Sequence, residues 1–288
     1  MKPSEKAAKP TASNGQGTTG PDAAGLVFVA EMYGVQLDQL AALLGTSEPR
    51  ARAVASRWRQ QGLAESARLG PGPAWVWLTR AGLASCGLAY SPAPPALSRL
   101  AHIRAVTAVR LALEAVPLYR GAGAYWRSER RLRARLGGRL GRRDHLPDGE
   151  VHWPDAGPGT GLTPVGWAGE CWAVEAELTP KTVSRTAAIM RELLSRTGDY
   201  GCTASEAVVP GRPARHARAL YVCSPAARPT VSRARDTLGR ASAGIEIRPL
   251  PPAAQLAPVV KPARSPARPT PAGRTRDGDG PAPGGATP

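Results

Sequence analysis

Apolar positions recur at helical spacing in the first part of the chain and change to strand-like alternation farther along. In residues 23–36, Leu26, Val27, Val29, Ala30, Tyr33 and Val35 predict a buried helix. Leu37, Leu40, Ala41 and Leu44 form one face of a second, and Gly45 stands where a C-terminal cap belongs. Thr46 or Ser47 can cap a third helix over 48–61. Pro49 is tolerated in its first turn, and Ala51, Val54, Ala55 and Trp58 point inward. Residues 64–69 and 74–79 read as two strands around the turn Gly70-Pro71-Gly72-Pro73. This order predicts a winged helix-turn-helix domain over 23–92.

The break Ser91-Pro92-Ala93-Pro94-Pro95 precedes a strongly helical segment at 97–116. Extended segments follow at 151–153, 171–178, 219–223 and 244–248, with helices expected at 182–196 and 230–241. Helices alternating with strands predict a three-layer α/β domain over 93–250. The expected class is thus α+β followed by α/β. Residues 1–22 and 251–288 hold too much Pro, Gly, Ser and Thr to bury a core, and read as disordered tails.

Charge narrows the function. The formal net charge is +16, and arginine supplies 33 of the 38 cations. The excess is local: residues 97–143 hold 12 arginines against 2 acids, whereas 23–90 carry net +2 and 144–250 are neutral. A polyanion, double-stranded DNA above all, is the expected partner. On the third helix Arg50 and Arg57 can share an outward face with Arg52 and Arg59 at its margins, and Arg68 sits near the hairpin tip. Arg127, Arg130, Arg131 and Arg133 open a second basic stretch suited to phosphate. Either set could equally be a solvated surface, and winged helices also dock proteins. No apolar run reaches the roughly 18 residues of a membrane helix, and no secretory leader is evident. Cys86, Cys171, Cys202 and Cys223 form no Cys-x-x-Cys pair and no zinc spacing with histidine. They fit a reducing, cytoplasmic protein, in which Cys171, Cys202 and Cys223 read as small buried hydrophobes.

The chemistry concentrates in residues 171–178. Alternation puts Trp172, Val174, Ala176 and Leu178 on a core face, and Cys171, Ala173, Glu175 and Glu177 on the other. Two carboxylates about 7 Å apart on one face repel unless a cation lies between them. Lys181 follows, the only lysine between residues 10 and 260. Asp148, in a Pro-Asp-Gly turn, can supply a third carboxylate, and oxygen ligands of this kind suit Mg²⁺. A plain surface ion pair among Glu175, Glu177 and Lys181 is the alternative, and His145, close to Asp148, reads as a ligand or base or, more simply, as a turn residue.

Two resemblances follow from these residues. The first domain, down to Leu78-Thr79-Arg80-Ala81-Gly82, resembles the winged helices of bacterial DNA-binding proteins. Pro147-Asp148, Glu175-Ala176-Glu177 and Lys181 together resemble the PD-(D/E)xK nuclease superfamily. The whole layout over 23–250, with Arg127-Ser128-Glu129-Arg130-Arg131, Pro147-Asp148-Gly149 and Glu175-Ala176-Glu177-Leu178-Thr179, resembles the replication-relaxation proteins of plasmids and mobile elements. That resemblance implies a restriction-endonuclease-like second domain and Asp148 and Glu175 as Mg²⁺ ligands. It also implies Glu177 and Lys181 as further catalytic residues and Glu129 as an outer acid. The nuclease pattern departs at position 177, where glutamate stands in place of lysine. The function implied is DNA binding in plasmid replication or DNA relaxation, with Mg²⁺-dependent nicking and with replication or mobilisation proteins as partners. A non-catalytic regulator on the same fold is the alternative.

Overall fold

The structure, a computed structural model, describes residues 20–136, 145–154, 167–195 and 216–252. The expected tails at 1–19 and 253–288, and Arg139, Arg142, Arg143 and Cys202, lie outside the described residues.

The chain opens with α1 (Gly20–Glu31), which starts three residues earlier and stops sooner than its apolar pattern predicts. Tyr33 and Gly34 turn the backbone through positive φ, so Val35 and Gln36 form a two-residue strand, β1, instead of a last helical turn. Helix α2 (Leu37–Leu43) ends at Gly45, whose φ of +60° is the left-handed conformation expected of a terminating glycine. Helix α3 (Glu48–Gln60) buries Ala51, Ala55 and Trp58 as its spacing requires. Strands β2 (Ala64–Ala67) and β3 (Trp75–Leu78) pair antiparallel, and β1 adds to the other side of β3. A short helix, α4 (Arg80–Ser85), follows, with the Thr79 hydroxyl accepting from the Gly82 amide.

Beyond the proline-rich segment, α5 (Leu100–Ala115) and α6 (Pro117–Gly121) lead to a five-stranded sheet. Its strands are β4 (Tyr125–Ser128), β5 (Gly149–His152), β6 (Cys171–Glu177), β7 (Arg218–Cys223) and β8 (Ile245–Pro249), in that spatial order. The first two junctions are antiparallel and the last two parallel. Strand β4 was hidden inside the arginine-rich stretch, whose continuation forms α7 (Glu129–Leu136). Helices α8 (Val183–Ser195) and α9 (Arg228–Asp236) cover one face through Met190, Leu193, Val231 and Ala234 against Ala173, Tyr221 and Cys223. The opposite face, with Trp172, Val174 and Ala176, packs on Ala105, Val106 and Val109 of α5. The result is an α+β protein with a mixed sheet between helical layers. Both faces of β6 are buried, so Glu175 and Glu177 are not on an open surface; the expected ion pair forms between Glu177 and Lys181, but with the carboxylate buried.

The two halves meet through one continuous apolar core that runs from Leu26 and Trp58 to Trp172 and Val222. Arginines from the basic segment stitch that junction. Arg104 pairs with Asp38 at 2.6 Å and also reaches Gln36, and Arg110 pairs with Glu31 at 3.0 Å. Arg130 donates to the carbonyls of Ala30 (2.7 Å) and Ser91 (2.6 Å), with its guanidinium over the rings of Tyr33 and Tyr90. Much of the +10 segment is therefore turned into the protein.

Candidate functional site

Register places the acids. Gly149 of β5 pairs with Val174 of β6, so Asp148 and Glu175, one step farther along each strand, come next to each other. Asp148 Oδ2 accepts from the Ala176 amide at 2.8 Å, which ties the acid to the edge of β6. Gly149 opens strand β5, paired with Ser128 of β4, and the ring of Trp126 of β4 occupies the place a side chain there would take. An added Cβ would meet that ring at 1.9 Å.

Each acid also meets an imidazole. His102 Nε2, on α5, lies 2.7 Å from Asp148 Oδ1, and His145 Nε2 lies 2.7 Å from Glu175 Oε1. His145 is thus a partner of the buried acid and not simply a turn residue. Burial opposes protonation of both rings, yet the carboxylates leave both histidines above their ordinary pKa. Burial first, then the nearby charge of Asp148, pushes Glu175 up to about 7. With histidine and glutamate both raised, the His145–Glu175 pair retains a proton near neutrality. Glu177 instead pairs with Lys181, which precedes α8 and is partly exposed. Tyr221 of β7 is directly beside Glu175 in the parallel register, and its buried hydroxyl has no hydrogen-bond partner among the described residues.

Asp148 and His102 also line a cleft of about 270 Å³ between the two halves, with Glu31, Tyr33, Arg99 and Glu129 on its other walls. Glu129 is held by Arg99 at 2.9 Å and Arg133 at 2.7 Å. The structure therefore gathers Asp148, Glu175, Glu129, Glu177 and Lys181 around one end of the sheet. It adds His102 and Arg99, which sequence reasoning missed.

The arginines separate into groups. Arg50, Arg59 and Arg68 are exposed. Arg52 pairs with Glu48 within α3, and Arg57 reaches back to Asp22 at 2.7 Å. Arg127 is mostly buried 3.9 Å from Glu150, Arg130 is the strap described above, and Arg131 and Arg133 are more exposed beside Glu31 and Glu129. Arg127 and Arg130 thus have internal partners that the reading as phosphate ligands did not anticipate.

A second polar cluster lies on the same face of the sheet. Glu150 and His152 of β5 lie beside Cys171 of β6, with His216 behind them. Among the described residues this is the group of three whose ligand atoms converge within 4.8 Å, and it could bind a metal. The expectation of no zinc-type grouping of cysteine with histidine is corrected, because strand pairing supplies what linear spacing does not. Cys171 is disulfide-bonded and so is not simply a buried thiol, while Cys223 is free and buried as expected. No helix among the described residues is long and apolar enough to cross a membrane. Compared with known proteins, the chain matches no family model, no curated protein and no solved structure.

Proposed function

We propose that the protein binds double-stranded DNA through α3 and the β2–β3 hairpin, and brings a phosphodiester to the Asp148–Glu175 carboxylate pair for Mg²⁺-dependent nicking. The observation that carries the reading is the adjacency of these two acids, next to a cleft between a helix-strand hairpin unit and a mixed sheet. Helix-strand-helix-helix-strand-strand order with the β1-β3-β2 sheet supports a winged helix, and exposed Arg50, Arg59 and Arg68 support contact with phosphate. The resemblance to replication-relaxation proteins supports plasmid or mobile-element DNA as the setting, with replication or mobilisation proteins as partners.

The donor set fits a hard dication. Two carboxylates repel each other in a buried site, and a cation between them relieves that repulsion. Mg²⁺ held by Asp148 and Glu175 would polarise a phosphate and activate water. Glu177 holds Lys181, which keeps an ammonium at the end of β6. His102 and His145 orient the two carboxylates and carry protons at their Nε2 atoms.

A specific observation also favours a non-catalytic regulator. Both acids already accept from histidines, and among the described residues they join no third donor in a convergent set. Supercoiled plasmid incubated with Mg²⁺, with EDTA, and with Glu175→Gln separates the readings. Nicked product only in the first condition is expected, and product that persists in EDTA or in the variant overturns the metal mechanism. Binding without product supports the regulator, and failure to bind DNA at all overturns both.

A further inference from the structure

The cluster at Glu150, His152 and Cys171 has a chemistry of its own. His152 lies directly opposite Cys171 in the antiparallel ladder, and Glu150 is two residues before His152 on the same face. His152 Nε2 is 2.9 Å from Glu150 Oε2 and 3.8 Å from Cys171 Sγ. All three residues are almost fully buried. Groups behind them hold them in place. His216 Nε2 lies 2.9 Å from the other Glu150 oxygen, while its Nδ1 donates to the Leu193 carbonyl at 3.0 Å. Tyr125 stacks flat on the His152 ring, 4.7 Å between centroids. Ligands fixed from behind by hydrogen bonds are the usual construction of a metal site. One feature is out of place: Cys171 is disulfide-bonded, so its sulfur is not the thiolate a metal needs.

We propose that reduction of the Cys171 disulfide converts this cluster into a zinc site, with the Cys171 thiolate, His152 Nε2 and Glu150 Oε2 as ligands.

Donor chemistry selects the metal. Sulfur, imidazole and carboxylate together suit zinc, whereas Mg²⁺ and Ca²⁺ take oxygen ligands. Charge agrees, because one thiolate and one carboxylate neutralise a dication in a place with little water. Geometry is close: zinc bonds of about 2.0 Å to nitrogen and about 2.3 Å to sulfur put those ligand atoms roughly 3.5 Å apart at a tetrahedral angle. The nitrogen-to-sulfur distance here is 3.8 Å, so small shifts suffice.

The steps balance. A dithiol reductant gives two electrons and two protons to the disulfide, which becomes two thiols while the reductant becomes a disulfide. Zinc then displaces the Cys171 thiol proton, which leaves to solvent, and binds the Nε2 lone pair of neutral His152 once the single ring proton sits on Nδ1. A disulfide oxidant reverses this: it takes two electrons from the Cys171 thiolate and its partner thiol, gains that thiol's proton and one from solvent to become a dithiol, and the re-formed protein disulfide leaves the ion one ligand short, so it is released. The site is separate from the Asp148–Glu175 pair, so it stands whether or not DNA is cut.

The test uses the full chain, stripped of metal and divided into oxidised and dithiol-reduced samples. Zinc retained after dialysis is measured, and cobalt is used as a coloured substitute. The expected result is one zinc per reduced chain, at least tenfold weaker retention by the oxidised chain, and a thiolate-to-cobalt charge-transfer band in the near ultraviolet. Cys171→Ser should abolish the band. His216→Gln, which leaves all three ligands in place, should weaken zinc about tenfold. Equal zinc retention by oxidised and reduced protein would overturn the proposal, as would a cobalt spectrum of the reduced wild type without a thiolate band. The cobalt measurement needs no variant to fold.

Discussion

Arg110 Nη1 on α5 lies 3.0 Å from Glu31 Oε2, the last residue of α1, and both side chains are buried. A carboxylate at a helix C-terminus opposes the helix dipole, and an arginine beside it offsets that cost. The guanidinium also bonds Glu114 at 2.7 Å and sits over the Phe28 ring at 4.1 Å. Part of the charge excess in the middle of the chain is thus committed to joining the two halves.

Removing one partner of this pair should be costly. Arg110→Ala leaves Glu31 buried with Arg131, at 3.5 Å, as its remaining cation among the described residues. A loss of about 3 kcal/mol is expected in urea unfolding, since an orphaned buried charge is the expensive case. The double variant Glu31→Leu/Arg110→Met should recover most of it. A cost for Arg110→Ala under about 1 kcal/mol, the value of an exposed pair, would mean that the bridge is not buried in solution.

Arg130 and Arg50 should behave oppositely, although both are arginines of suspected DNA-binding stretches. Arg130→Lys keeps the charge but loses the fork that reaches two carbonyls and the stacking on Tyr33 and Tyr90. It should lower stability by about 1–2 kcal/mol and leave the salt dependence of DNA binding unchanged. Arg50→Ala should leave stability alone and flatten the salt slope by about 0.9 for the lost phosphate contact. Titrations at several salt concentrations read both, and a reversed pattern would exchange the two assignments.

What was legible in the sequence was local. Gly45 at positive φ, Trp58 in the core and the strand at 171–177 all follow from spacing within one element. The pairing of Asp148 with Glu175 was suggested by residue type and by a resemblance, while the register that makes them neighbours was not legible. Of the histidine partners, His145 was noted only for its place near Asp148, and His102 and His216 were not legible. His102 meets Asp148 across 46 positions and His216 meets Glu150 across 66, and strand register and layer packing decide such contacts. Strand β4 was missed because arginine and glutamate beside Trp126 resemble a charged surface stretch, yet pairing with β5 buries Trp126 and Ser128.

Gly149 makes the carboxylate site sensitive to a single methyl group. Gly149→Ala would drive a Cβ into the Trp126 ring, and the ring cannot retreat from the core that holds it. A cost of about 1–3 kcal/mol is expected from overpacking. Asp148 precedes this residue, so the variant should also lose nicking while keeping DNA binding. Full activity with a loss of stability would show that the strand can yield without moving the acid.

Glu150 predicts a specific loss of stability in acid. Burial alone would raise its pKa, but hydrogen bonds with His152 and His216 hold the carboxyl down to about 2, against an ordinary 4.5. A folded-state value below the unfolded one contributes stability that is complete above about 4.5 and is lost as pH falls from there toward about 2. His152, lowered by its burial, works in the same direction: the unfolded chain takes up its proton below about 6.5 more readily than the folded one. The Glu150 and His152 contributions therefore decline toward strong acid, the Glu150 part on the order of 3 kcal/mol, while the raised Glu175, His102 and His145 act in the opposite sense nearer neutrality. Glu150→Gln should lower stability at pH 7 and flatten the slope between about 4.5 and 2. If the slope in that window is the same in the variant, the carboxylate is not what the two histidines hold in place.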